Sequence, residues 1–327
     1  MAHRASVGII SIGEMGLGVA KLLISQNYRV LTNITGRSQH TQDRAKGASV
    51  QLVSSDADLV HQSDYIVSIV PPKDALATAD RIVSAQSSKP RPSDASPLYY
   101  LDLNAVAPSS ALAIAARFKD LSSAIRFVDG GIIGGPPKAP ADGGDASDAA
   151  AWTRPSIVLS GKFPLVEAPK DGKHMAELLN TKHVGDDIGV ASGLKCCYAT
   201  LTKGFTALAI QSYTTAARLG VLEELRTEIR ATNPANEKRA NGGLVGMAPK
   251  SGRWVAEMHE IAKTHRETGG WADAGEKEGG ASGIFDGAAE VYRYVAEDTV
   301  LGKEHSLKRT RGTTAEDVVA AINESRK

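Results

Sequence analysis

Lys195 is set in the stretch Gly189-Val190-Ala191-Ser192-Gly193-Leu194-Lys195-Cys196-Cys197-Tyr198-Ala199, where nearly every neighbour is small or apolar. An ammonium on such a face either snorkels to solvent or works as a chemical group. Its chemistry would be proton transfer, which is most effective from a group titrating near the working pH. A free lysine titrates near about 10.4, so burial would have to lower it for that work. Asp186 and Asp187, just ahead, are candidate caps for the helix that carries it. Lys203 lies eight residues further on, roughly 12 Å along a helix. It cannot share the same proton, and two roles remain open for it: meeting a distal carboxylate or phosphate of the substrate, or pairing with a neighbouring subunit. Tyr198 and Thr202 fall on the Lys195 face as hydrogen-bonding candidates.

A second constellation lies near the N-terminus. A short apolar run over residues 6–12 stops at Ser11-Ile12-Gly13-Glu14-Met15-Gly16, and helical periodicity follows from Leu17. Strand, glycine turn and helix in this order suit a dinucleotide phosphate, which takes amide donors and a favourable dipole from the helix N-terminus. Ser11 stands where the fingerprint has its first glycine. The second strand ends in Thr35-Gly36-Arg37-Ser38, with no acidic residue before Asp43. A guanidinium with a hydroxyl suits the 2′-phosphate of NADP, so Arg37 and Ser38 are expected to select NADP(H), with NAD(H) possible. Two further strand ends, Val70-Pro71-Pro72 and Asp102-Leu103-Asn104, fit the same crevice. Asn104 is expected either near the nicotinamide or as a helix N-cap.

The elements that must position these groups follow from patterning. Apolar strand runs near residues 6–12, 29–34, 50–52, 65–70, 99–103, 126–128 and 156–159 alternate with helical periodicity, as in βαβ units with a parallel sheet. After residue 187 only helical patterns remain, over about 188–219, 221–231, 254–265, 287–300 and 314–324. The fold class expected is α/β: a Rossmann-type doubly wound, mainly parallel sheet over residues 1–187, then an all-α domain over 188–327 that begins with a long helix. Trp254, Met258, Ile261 and His265 recur at helical spacing and are read as a core or subunit-contact face.

Composition excludes other classes. The 327 residues carry a formal net charge of +1 with 42% hydrophobic and 23% charged residues, which gives no footprint for nucleic acid or an anionic membrane and leaves a small-molecule partner. No apolar run reaches the roughly 20 residues of a membrane-spanning helix. The adjacent Cys196 and Cys197 fit neither a disulfide nor a metal spacing, and no metal is expected. With no room for a signal peptide ahead of the first strand, the expected location is cytoplasmic.

Taken together, Gly13-Glu14-Met15-Gly16, Val70-Pro71-Pro72, residues 102–108, Asp129-Gly130-Gly131-Ile132-Ile133-Gly134-Gly135 and Gly193-Leu194-Lys195 resemble the β-hydroxyacid dehydrogenase family, the group of 3-hydroxyisobutyrate and 6-phosphogluconate dehydrogenases. Residues 195–199, 202–204 and 253–262 look like the branch whose phosphogluconate-dehydrogenase-like C-terminal domain has no settled role. The resemblance implies hydride transfer to or from a nicotinamide, with Lys195 as general acid/base. It places the substrate against Gly131, Ile132, Ile133 and Gly134, and implies a homodimer through the C-terminal helices. Ile133 replaces the family's substrate-binding serine and Ala199 its asparagine, so a bulkier or less polar substrate than a small hydroxyacid is expected. The alternatives are an imine reductase or reductive aminase on the same scaffold, and a non-catalytic NADPH-binding module.

Overall fold

The apolar runs form one eight-stranded sheet in a computed structural model that describes residues 2–36, 39–92, 94–141, 144–271, 281, 283–304 and 309–326. The strands are β1 (Ser6–Ile10), β2 (Arg29–Thr32), β3 (Gln51–Leu52), β4 (Tyr65–Ser68), β5 (Leu98–Asp102), β6 (Ile125–Ile133), β7 (Ser156–Ser160) and β8 (Thr181–His183). Their order is β3-β2-β1-β4-β5-β6-β7-β8, and every pairing is parallel except β6 with β7. The chain winds outward from β1 to β3 and then returns to β4 on the other side, so strand order reverses at β1/β4, where doubly wound sheets bind ligands. This is the expected fold class.

Helices α1 (Glu14–Ser25), α2 (Gln39–Gly47), α3 (Asp56–Gln62), α4 (Pro72–Ser88), α5 (Pro108–Ala116) and α6 (Gly172–Leu178) connect the strands. Both faces of the sheet are covered. Val19, Leu22 and Leu23 of α1 pack with Met175 and Leu178 of α6 on one core, while Ala79 and Ile82 of α4 pack with Ala111 and Ile114 of α5 on the other. Strands buried on two sides must be apolar throughout, which is why they read as continuous runs.

The chain divides into two compact units, Met1–Lys195 and Cys196–Lys327. The division falls at Lys195 rather than at the last strand signal near residue 187, because the first turns of helix α7 (Val190–Ala199) are bound to the sheet by contacts described below. The second unit holds a π-helical turn at Thr200–Gly204, then α8 (Phe205–Leu219), α9 (Leu222–Thr232), α10 (Pro234–Met247), α11 (Ser251–Glu267), α12 (Gly283–Asp298) and α13 (Ala315–Glu324). The long helix expected over 188–219 is therefore interrupted. The stripe on α11 is a core face: Met258 and Ile261 are buried, Trp254 meets Tyr292 edge-on at 5.1 Å, and His265 stacks on Phe285 at 4.7 Å. No described helix is long and apolar enough to cross a membrane.

Candidate functional site

The glycine turn leaves β1 through Ser11, whose φ of 80° is left-handed. That backbone is what the family's first glycine provides at no steric cost, and here a serine adopts it. The turn is tight: a Cβ on Gly16 would stand 2.0 Å from the Ser11 carbonyl oxygen. Gly13 is the N-cap of α1, no side chain caps that helix, and a Cβ on Gly13 would meet only Ser11 Oγ, at 3.8 Å. Backbone amides at the carboxyl end of β1 with no side chain over them form a cradle that fits a dinucleotide phosphate. Arg44 of α2 donates to the Ile12 carbonyl at 3.1 Å and holds the turn from the side. Arg37 and Ser38 lie outside the described residues. Gly36, just before them, has φ 74° at the end of β2.

Beside the turn, the carboxyl ends of the strands present a row of buried polar residues in direct register. Ile10 pairs with Ser68, Ser68 with Asp102, Asp102 with Asp129, and Asp129 with Ser160. Registered partners point to the same face, so Ser68, Asp102, Asp129 and Ser160 form one polar line inside an apolar core. All four are at most 1% exposed.

Asn104 closes one end of this line. Its Oδ1 accepts from Val70 N at 2.7 Å and its Nδ2 donates to Ser68 Oγ at 3.2 Å. It thereby ties the loop after β4, which runs Val70-Pro71-Pro72 into α4, to the loop after β5. It is not a helix N-cap, since Ala107 occupies that position on α5. Asp102 accepts from Asn104 N at 3.1 Å through Oδ1, while its Oδ2 is buried without a partner. Burial first, and then the Asp129 charge, raise its pKa from 3.8 to about 7 against the lowering effect of the Asn104 bonds.

Asp129 is bound more fully. Its Oδ2 accepts from Ser160 Oγ at 3.0 Å, Gly189 N at 2.9 Å and Ser192 N at 3.2 Å, and its Oδ1 accepts from Ser192 Oγ at 2.5 Å. Ser160 Oγ in turn accepts from Ala191 N at 3.1 Å. The start of α7 is thus capped from β6 and β7. Asp186 and Asp187, the expected caps, are exposed, and Asp186 bonds instead to His183 Nε2 at 3.3 Å.

Two residues along β6 from Asp129, Gly131 faces the same helix. A Cβ there would lie 2.6 Å from Lys195 Cβ and 3.0 Å from its Cγ. Gly131, expected against substrate, therefore has the stem of Lys195 against it. Ile132 is buried, Ile133 is half-buried, and Gly134 is exposed with φ 127°. Lys195 is half-buried at the carboxyl end of the sheet.

Within the second unit, Tyr198 is exposed, and Thr202 Oγ1 donates to the carbonyls of Tyr198 and Ala199 at 3.3 and 3.2 Å. Lys203 has a partner within its own chain. It is 8% exposed, its ammonium is paired with Glu257 of α11, and it lies 5.2 Å from the Trp254 ring. Arg253 Nε binds the second oxygen of Glu257 at 2.9 Å. A buried cation requires such a partner, and the partner comes from its own chain.

Comparison with known proteins agrees with this architecture. Residues 6–147 match the NAD binding domain of 6-phosphogluconate dehydrogenase, and residues 216–295 match a domain of unknown function, DUF1932. The "Uncharacterized 28.5 kDa protein in 7S RNA 5'region" of Methanothermus fervidus is 25% identical over 261 residues, covering 77% of this chain and 89% of that protein. Among solved structures, the 3-hydroxyisobutyrate dehydrogenase of Mycobacterium tuberculosis with L-serine superposes with a TM-score of 0.62 at 15% identity, over the full length of both chains. The reductive aminase of Aspergillus terreus with NADPH and ethyl levulinate gives a TM-score of 0.52 at 17% identity over 98% of this chain and 99% of that one. At such identities the two structures share the fold. The chain thus joins an NAD-binding domain of the 6-phosphogluconate dehydrogenase type to a DUF1932 domain, on a fold shared with 3-hydroxyisobutyrate dehydrogenase and reductive aminase structures.

Proposed function

We propose that this chain transfers hydride between NADP(H) and an alcohol–carbonyl pair, a β-hydroxyacid or a bulkier and less polar derivative, with Lys195 as general acid/base. The observation that carries the proposal is the seating of Lys195. Its stem lies on Gly131 at the carboxyl end of the sheet, on a helix anchored to β6 and β7. A bound nicotinamide would supply the hydride acceptor in one direction and the donor in the other. Lys195 Nζ takes the hydroxyl proton as the carbonyl forms and returns it in reduction. The cofactor's phosphates would rest on the turn from Ser11 through Ile12, Gly13, Glu14 and Met15 to Gly16, beside Val70, Pro71 and Pro72. Asn104 holds the loops at the nicotinamide end through Val70 and Ser68.

Arg37 and Ser38 are assigned to the 2′-phosphate on the chemistry of the pair, a guanidinium with a hydroxyl following Gly36. An unchanged NADP-to-NAD preference in Arg37→Ala would remove that assignment. Ile132, Ile133 and Gly134 are assigned to the substrate wall. The apolar Ile133 supports a less polar substrate than a small hydroxyacid. Tyr198 remains a hydrogen-bonding candidate and Thr202 a weaker one, its hydroxyl already being bonded to backbone. Leu201, Leu208 and Leu219, each about 70% exposed, support a homodimer through the C-terminal helices, which a monomeric mass in light scattering would exclude. The two free cysteines support a reducing, cytoplasmic setting.

The deciding experiment is NADPH turnover with carbonyls, hydroxyacids, and ketones mixed with amines, for the wild type and Lys195→Ala. Loss of about 10²- to 10⁴-fold in kcat on alcohol–carbonyl pairs is expected. Turnover confined to ketone plus amine would favour an imine reductase. Cofactor binding with no turnover would favour a binding module.

A further inference from the structure

We propose that Asp129 is the positioning residue for Lys195: from β6 its carboxylate caps the helix that carries the lysine and fixes where that helix begins. The proposal rests on the assignment of Lys195 as the proton-transfer group. Three backbone donors at the start of α7 are bound from the sheet, Gly189 and Ser192 by Asp129 and Ala191 by Ser160. The two acceptors are register partners on adjacent strands, and Ser160 Oγ donates to Asp129 Oδ2, so the cap is one unit. The Ser192 hydroxyl binds the remaining carboxylate oxygen. Both oxygens of Asp129 accept from four donors in all, and every one of these donors lies on α7, on the residue before it, or on β7.

Hydrogen bonds to a charged acceptor at a helix N-terminus are strong, and they favour the helix dipole. The strand holds the helix at a second point as well. Gly131, on the same face of β6 as Asp129, admits the Lys195 stem closer than any other residue would allow. One contact fixes the start of α7 and the other fixes the depth of the lysine, three residues after Ser192. Local signals do not account for this geometry. The acidic pair directly ahead of the helix points to solvent, and the capping acid lies 60 residues upstream of Gly189.

The test uses the full-length protein and Asp129→Asn, which keeps the shape but puts an amide donor among N–H donors. Two measurements are made: amide hydrogen exchange over residues 189–195, and steady-state kinetics with NADPH and the best substrate of the panel. Exchange at Gly189, Ala191 and Ser192 should speed up about tenfold or more, and kcat should fall about 10- to 30-fold, while the cofactor KM stays within about twofold. A general structural defect would instead raise KM and speed exchange across the sheet. Wild-type exchange at the start of α7 together with wild-type kcat would overturn the proposal. Exchange needs no substrate, so the two assignments fail separately. If Lys195→Ala retains full activity, the role of Lys195 fails, while Asp129→Asn still reports on the cap. Should Asp129→Asn not fold, Ser192→Ala and Ser160→Ala carry the test, and an unchanged kcat in both would overturn it.

Discussion

Replacing Asp102 with asparagine should change how the stability of the first unit depends on pH. Asp102 is 1% exposed at the end of β5, between Ser68 and Asp129, and one of its oxygens has no hydrogen-bond partner. Burial, then the neighbouring Asp129 charge, raise its pKa to about 7 from 3.8. Between those values the folded protein keeps a proton that the unfolded chain has released. The stability this provides is complete below about 3.8 and is lost as pH rises toward 7, at about 1.4 kcal/mol per pH unit and about 4 kcal/mol in all. Asparagine keeps an acceptor for Asn104 N and has no charge to bury. From pH 5 to pH 8 the wild type should therefore lose about 3 kcal/mol relative to Asp102→Asn. Urea denaturation at pH 5, 6, 7 and 8 measures this, followed by Trp152 fluorescence after Trp254 and Trp271, the other two tryptophans, have been changed to phenylalanine. Parallel stability profiles, or a wild type that gains on the variant with rising pH, would refute the assignment of a protonated acid to this position.

Other substitutions test the remaining contacts. Gly131→Ala places a Cβ 2.6 Å from Lys195 Cβ, and the lysine must move; overpacking of this kind costs about 1–3 kcal/mol, so kcat should fall about tenfold or more with cofactor affinity retained. Gly16→Ala meets the Ser11 carbonyl at 2.0 Å, a backbone atom that cannot yield, and should cost about 3 kcal/mol with loss of NADPH binding in a fluorescence titration. Lys203→Met strands the buried Glu257 with Arg253 as its remaining cation. It should destabilise the second unit by about 3 kcal/mol in a melt followed by Trp254 fluorescence, and the substrate KM should stay unchanged; a raised KM with full stability would return Lys203 to the substrate.

What the sequence discloses here depends on the range of the interactions. Strands buried on both faces and the glycine turn are local patterns, and the parallel sheet was legible from them. β8, with the polar residues Thr181, Lys182 and His183 at the sheet edge, has no apolar run to reveal it. α10 is hidden by Pro234 and by Gly242, Gly243 and Gly246, yet Gly243 is needed there: a Cβ would stand 2.7 Å from Thr206 Oγ1 of α8. Lys195 stands out because it interrupts a small-residue face. The partners that settle its surroundings are distant in the chain, Asp129 lying 60 and 63 residues before the amides it binds. The partner of Lys203 is distant in the same way, since Glu257 reaches it from another helix. Arg37 and Ser38 remain a matter of sequence chemistry.

The buried polar line across the sheet also has a reason within the site. A charged group in an apolar core is costly unless it is bonded, and two carboxylates on adjacent strands in direct register repel each other. The two acids are bonded very unequally. Asp129 accepts from four donors, two of them backbone amides at a helix start, whereas the bonds around Asp102 come from Asn104 alone and leave one oxygen bare. Burial and the neighbouring Asp129 charge raise Asp102 to about 7, so Asp102 holds a proton in mildly acidic solution. A neutral Asp102 spares the cap of α7 from like-charge repulsion. Asn104, which holds the Asp102 carboxyl, also holds Val70 ahead of the Pro71-Pro72 turn through its own amide oxygen. The loop assigned to the cofactor and the helix assigned to the proton are thus tied to opposite ends of one line of register-paired polar residues, and a residue in its middle changes charge near neutral pH.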